Sequence, residues 1–209
     1  MTTPFTDYIA HVGDRTALYA AVARCTDARR VIYPGSYLDI APSSVWQDVT
    51  YLDMDARARR AFADVEAVER LAQRLGGAAA APSIAFVDGD YTRTLRALPE
   101  AGWDLAISLY AGPVSEHVAR CVRPGGWLLV NNSHADAGLA FLDPRYELAA
   151  AIHRRAHGYR LVTDDLGRYF QPKRPPHPDR AGLLASGRGI AYTRPADVYL
   201  FRRVPGPAA

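Results

Sequence analysis

Short apolar runs alternate along this chain with longer segments in which apolar residues recur every three or four positions, and that alternation predicts an α/β fold. Over 15–25, Leu18, Ala21, Val22 and Cys25 fall at helical spacing. Strand-like runs follow at 30–33 and 49–52, the second rich in β-branched and aromatic residues. A helical pattern over 56–75 puts Phe62, Val65, Val68, Leu71 and Leu75 on one face, with Asp55 as its cap and Gly76 and Gly77 as its stop. Small residues at 78–82 lead to a third strand at 84–87. A loop or short helix at 92–98, a strand at 103–109, a helix at 114–122, a turn at Pro124, Gly125 and Gly126, and a fifth strand at 127–130 complete the alternating part.

The ending changes character. A helical segment is predicted at 146–157, and two strand-like runs, 159–162 and 197–203, flank a Pro-rich, basic stretch at 172–178. With no strand-helix-strand crossover left to use, these last strands are expected to pair antiparallel at the sheet edge. The pattern thus predicts one domain over 1–209, with an N-terminal helical segment at 1–29 and a loop or lid insertion at 172–195. Helices should cover both faces of a mostly parallel sheet.

Composition narrows the class. Of 209 residues, 49% are hydrophobic and 22% charged, which excludes whole-chain disorder. The net charge of +3 is too mild to imply nucleic acid. No apolar run has the length of a membrane span, and the N-terminus has neither a basic start nor an apolar signal core, so a cytoplasmic location is expected. The abundance of Arg over Lys and of Ala fits a GC-rich bacterial genome. Cys25 and Cys121 lack metal-type spacing and read as buried small hydrophobes.

The candidate chemistry lies where the apolar runs stop. Asp39, Asp53 and Asp90 follow three successive strands, and in an open parallel sheet those ends deliver the ligand. Carboxylates there suggest an adenosine-like ligand. Asn131, Asn132, Ser133, His134 and Asp136 follow the fifth strand, which makes His134 the best general base in the chain, with Asp136 to orient it. A surface loop is the alternative for that stretch. Tyr33, Tyr37, Tyr91 and Tyr110 fall at strand ends and could line a site for a planar molecule. His153 and His157 lie four apart on the predicted helix, but without a third ligand nearby no metal site is expected.

Gly35 after the first strand, Asp53 after the second, Gly89 and Asp90 after the third, Trp103-Asp104-Leu105 opening the fourth and Arg123-Pro124-Gly125-Gly126 before the fifth share an order and spacing. By these, the stretch 30–132 resembles the class I S-adenosylmethionine-dependent methyltransferases. The resemblance implies a doubly wound, mostly parallel seven-stranded sheet with an antiparallel C-terminal edge strand. It also implies a cofactor, S-adenosylmethionine, released as S-adenosylhomocysteine. Gly35 matches the first glycine of the family's cofactor loop, Asp53 the ribose-binding acid and Asp90 the acid facing the adenine amino group, with Tyr91 against the ring. Ser108, Leu109, Tyr110 and Gly112 would line the mouth near the sulfonium.

The loop after the first strand departs from the family pattern, carrying Tyr33, Tyr37 and Asp39 where the family has an acid and two further glycines. Asp39 could then meet the cofactor's ammonium group. The expected activity is methyl transfer to a small molecule, with His134, Asp136 and Tyr110 as catalytic candidates and a homodimer left open. The alternative is a methyltransferase-like protein whose altered loop makes it a non-methylating enzyme or a binding or scaffolding protein. A nicotinamide-dinucleotide oxidoreductase is disfavoured by the missing Gly-x-Gly-x-x-Gly turn.

Overall fold

The computed structural model describes residues 3–76, 81–175 and 177–205. Gly77, residues 78–80 of the connector and Pro176 of the Pro-rich stretch lie outside the described residues. In chain order the elements are α1 (Pro4–Val12), α2 (Thr16–Ala23), β1 (Arg30–Pro34), β2 (Asp48–Asp53), α3 (Ala56–Ala61), α4 (Val65–Gly76), β3 (Ser83–Asp88) and α5 (Tyr91–Ala97). They continue with β4 (Trp103–Ser108), α6 (Ser115–Val118), β5 (Val122–Val130), α7 (Asp136–Leu142), β6 (Tyr146–Arg155), β7 (Gly158–Val162), α8 (Arg180–Ser186) and β8 (Val198–Arg203).

The strands form one sheet in the order β3-β2-β1-β4-β5-β8-β6-β7. The first five run parallel, and β8 pairs antiparallel with both β5 and β6. This is the expected mostly parallel, doubly wound sheet with its antiparallel strands at the C-terminal side. It has eight strands rather than seven, because β6 and β7 form a hairpin outside β8. The chain reverses direction across the sheet between β1 and β4, which opens the place where such folds hold ligands.

Two buried clusters cover the two faces. The alternation of side chains along a strand sends Val31, Tyr33, Leu105, Ile107 and Leu200 to one cluster and Ile32, Ala106, Tyr199 and Phe201 to the other. Helices α2 and α4 close the first face, and α5, α6 and α7 the second. The connection from β1 to β2 contains only a 3-10 turn, Ala41–Ser44, against which α2 and α4 pack.

Several sequence expectations change: the helix expected at 114–122 shortens to α6, and the turn expected at Pro124, Gly125 and Gly126 lies inside β5. The helix expected at 56–75 is two helices, broken around Phe62. That ring turns into the core to stack on Phe86 at 4.6 Å, and the Asp64 side chain accepts from the Ala67 N–H at 3.0 Å to restart the helix. The segment 146–157 is mostly strand, because β8 and β7 offer it backbone partners on both edges and that pairing outweighs the helix propensity of Ala149, Ala150 and Ala151. His153 consequently sits on a strand, its Nε2 2.9 Å from the Tyr169 hydroxyl, and the helical spacing to His157 is lost. Cys25 is exposed just past α2, whereas Cys121 is buried as expected. No group of residues that could hold a metal ion, and no helix long and apolar enough to cross a membrane, occurs among the described residues.

Candidate functional site

The C-terminal ends of the parallel strands gather most of the candidate residues on one rim. Asp53 and Asp88 are register partners on β2 and β3, and the Gly89 N–H donates to the Asp53 carbonyl at 3.0 Å, so Asp53 and Asp90 do emerge side by side. Met54, the residue after Asp53, is 69% exposed. Asp90 caps α5 by accepting from the Thr92 N–H at 2.9 Å, and the bonds from Thr92 hold its carboxyl below the usual aspartate range. Asp53 is largely committed within the chain. Its Oδ2 accepts from the Tyr37 N–H at 2.7 Å and its Oδ1 from the Asp55 N–H at 2.8 Å.

Asp39 turns inward. It is 2% exposed, and its Oδ2 accepts from Arg15 at 2.8 Å, the Tyr19 hydroxyl at 2.8 Å and the Tyr33 hydroxyl at 3.4 Å, while Oδ1 accepts from the Ala41 N–H at 3.2 Å. Burial, and then the Asp39 charge, push the Tyr19 and Tyr33 phenols well above their usual range. Burial opposes the charge on Arg15, yet Tyr33 and Asp39 more than offset it and keep the guanidinium protonated. A carboxylate neutralised in this way has no charge left for a ligand's ammonium group.

The loop after β1 meets the loop after β4. Gly35 has φ of +69°, and a Cβ placed on it would lie 2.1 Å from the Ala111 Cβ. Gly112, at φ of +106°, is covered in the same way by Tyr91, whose hydroxyl would lie 2.6 Å from a Cβ there. Both glycines are therefore needed for contact with the chain itself. Tyr37 and Tyr110 also hold left-handed backbones, at φ of 48° and 64°. Asp53 fixes the first, and the second donates its N–H to the Asn131 side chain at 3.3 Å. The Tyr110 ring is 64% exposed and lies under the Arg15 guanidinium at 5.3 Å.

A second carboxylate is buried behind the rim. Asp136, the first residue of α7, accepts from the Ser108 hydroxyl at the end of β4 and from the Ser115 N–H on α6 at 2.9 Å. Its pKa rises to about 7, chiefly through burial and against those hydrogen bonds. Tyr91 is raised to about 12 by burial, with the Asp136 charge adding to the shift. His134 is exposed, with a left-handed backbone, and the carboxylate meant to orient it is engaged with Ser108 and Ser115. His117 on α6 lies 5.8 Å from the Tyr91 ring, and burial lowers its pKa.

The fit of S-adenosylmethionine follows from these contacts. Asp53, Met54 and Asp90 lie just at or past the ends of β2 and β3. The amino-acid end of the cofactor would need the space over Gly35 and a free carboxylate from Asp39, and Ala111 and Arg15 occupy both roles. The residues as arranged do not fit the whole cofactor. Sequence reasoning placed Asp53, Asp90 and Ser108 on the rim but missed Ala111, Arg15 and Tyr19. A single arginine heading an apolar helix was the one available signal, pointing to a buried acid elsewhere.

The contact between the two loops is testable by a double-mutant cycle. Gly35→Ala should destabilise the protein, Ala111→Gly should relieve part of that loss, and the coupling between them should be about 1–2 kcal/mol in urea denaturation. Additive losses would show that the loops do not touch in solution.

No protein-family model matches the sequence, and no curated protein matches it either. Among solved structures, it is similar to a provisionally assigned O-methyltransferase from Klebsiella pneumoniae. The identity is 14% over 99% of this chain and 92% of that one, with a TM-score of 0.53. A Corynebacterium glutamicum protein is similar at 11% identity over 98% of this chain and 90% of that one, with a TM-score of 0.52. The chain has the fold of the class I S-adenosylmethionine-dependent methyltransferases.

Proposed function

We propose that this protein uses the methyltransferase fold to hold a small molecule at the C-terminal rim of its sheet without transferring a methyl group from S-adenosylmethionine. One observation carries the reading: the Ala111 side chain lies directly on Gly35, where the fold's cofactor loop must stay open. The pairing of Asp39 with Arg15 supports it, because the charge that would replace the loop's missing acid is already neutralised. A small molecule rather than nucleic acid is the partner, in keeping with the mild net charge of +3. A cytoplasmic setting goes with this reading.

The second reading is methyl transfer to a small molecule, favoured by the positions of Asp53 at the end of β2 and of Asp90 two residues past its neighbour β3. In that case the Tyr110–Gly112 loop must withdraw from Gly35 before the cofactor enters. Calorimetric titration with S-adenosylmethionine and S-adenosylhomocysteine separates the two. The first reading expects no binding at about 1 mM ligand. Micromolar binding by the wild-type chain would establish the second reading in its place.

A further inference from the structure

A recess of about 150 Å³ opens on the same rim, bounded by the turn between α1 and α2, the loop after β4, the β6–β7 hairpin and the residues leading into β8. Gly35, Asp53, Asp90 and Ser108 are not among its walls. Leu18, Leu109 and Val198 give it a buried apolar base. Four charged residues line it: Asp14, Arg15, Arg154 and Asp197.

These charges are not equivalent. Arg15 is neutralised by Asp39 and lies over the Tyr110 ring, so it shapes a wall and offers little pull on an anion. The Arg154 guanidinium has no hydrogen-bond or ion-pair partner among the described residues, while its backbone N–H donates to Asp197 Oδ2 at 2.8 Å and keeps the two residues together. Asp197 Oδ1 stays open. Asp14 Oδ1 accepts from the Thr16 N–H at 2.7 Å, and Asp14 Oδ2 stays open. The recess therefore offers one unpaired guanidinium and two half-used carboxylates around an apolar base.

A ligand that is only an anion would meet repulsion from two carboxylates, and a simple amine would leave the guanidinium unmatched. A compact molecule carrying both charges answers both groups. A cavity of this size holds a molecule of about six to ten heavy atoms, given that a closed cavity of similar volume takes benzene and this one is open at its mouth.

We propose that this recess binds a free aliphatic α-amino acid or an equally compact zwitterion. The carboxylate pairs with Arg154, the ammonium lies between Asp14 and Asp197, and the side chain rests on Leu18, Leu109 and Val198. The proposal rests on the preceding reading of a small molecule held at the rim, and supplies its chemical class.

Titration calorimetry of the full chain with L-leucine tests it, alongside 3-methylbutylamine, which lacks the carboxylate, and 4-methylpentanoate, which lacks the ammonium. L-Leucine should bind, and each analogue should bind at least tenfold more weakly. Arg154→Gln and Asp197→Asn, both at exposed positions, should each weaken L-leucine at least tenfold without moving the melting temperature. Absence of L-leucine binding at about 10 mM, or full binding by Arg154→Gln, would overturn the assignment. If L-leucine fails and S-adenosylmethionine also stays unbound, only this recess is reassigned. Cofactor uptake without L-leucine binding would remove the non-methylating reading as well.

Discussion

Replacing Arg15 with methionine should cost about 3–5 kcal/mol of folding stability, because it strips the one cation paired, among the described residues, with a carboxylate buried at 2% exposure. Asp39 would keep the Tyr19 and Tyr33 hydroxyls and the Ala41 N–H as donors, but no opposite charge. A second change, Asp39→Asn in the Arg15→Met background, should recover most of the stability, since the neutral amide leaves no buried charge, its oxygen can accept from the Ala41 N–H, and its NH2 can donate to a tyrosine hydroxyl oxygen. Urea denaturation of the three proteins reads this out. A loss below about 1 kcal/mol for Arg15→Met would mean that water reaches Asp39 and that its charge is available to a ligand after all.

The second large effect belongs to Asp136 and shows itself as a dependence of stability on pH. Burial lifts this carboxyl to about 7, far above its value in an unfolded chain. Below about pH 4 the group is protonated in both states and costs nothing. As pH rises towards 7 the unfolded chain ionises first and the folded one does not, so stability falls, and above about pH 7 the full penalty stays in place. Between about pH 5 and pH 8 this one group should remove about 2–3 kcal/mol. Asp136→Asn keeps an acceptor for the Ser115 N–H and can donate to the Ser108 oxygen, so the variant should lack that slope. Several other aspartates, Asp55, Asp90 and Asp104 among them, are shifted downwards and give stability that rises with pH in strong acid. The difference between wild type and variant isolates Asp136 from them. Parallel stability curves for the two proteins from pH 5 to 8 would show that Asp136 is solvated.

These two carboxylates account for much of how the rim is built. Asp39 ties the loop after β1 to α2 through Arg15 and Tyr19, and Asp136 ties the end of β4 to α6 and α7 through Ser108 and Ser115. Two of the acids and hydroxyls that the strand-end pattern offers to a ligand are thus used to hold the loops in place. Exposed side chains on the rim include Met54, Tyr110, His134, Arg154 and Asp197.

Local pattern was enough for the parallel half of the molecule. The runs ending at Tyr33 and Leu52 are apolar because both faces of β1 and β2 are covered, the run ending at Val87 lies on the edge strand β3 with Ala85 exposed, and each stops at a turn residue that no strand interior would hold. Register, and with it the shared rim of Asp53 and Asp90, follows from that spacing. The sequence alone also determined that the chain closes with antiparallel strands, since no crossover remained after the fifth.

Tertiary structure decided the rest, for reasons that short-range pattern does not carry. The segment of Ala149, Ala150 and Ala151 becomes a strand only because two edges compete to pair with it. Asp39 faces inward only because Arg15, 24 positions away, reaches it. Gly35 looks like a cradle for a cofactor in one dimension and becomes the seat of Ala111 in three. A residue's type limits the contacts it can make, and the packing of distant segments selects which of them exists.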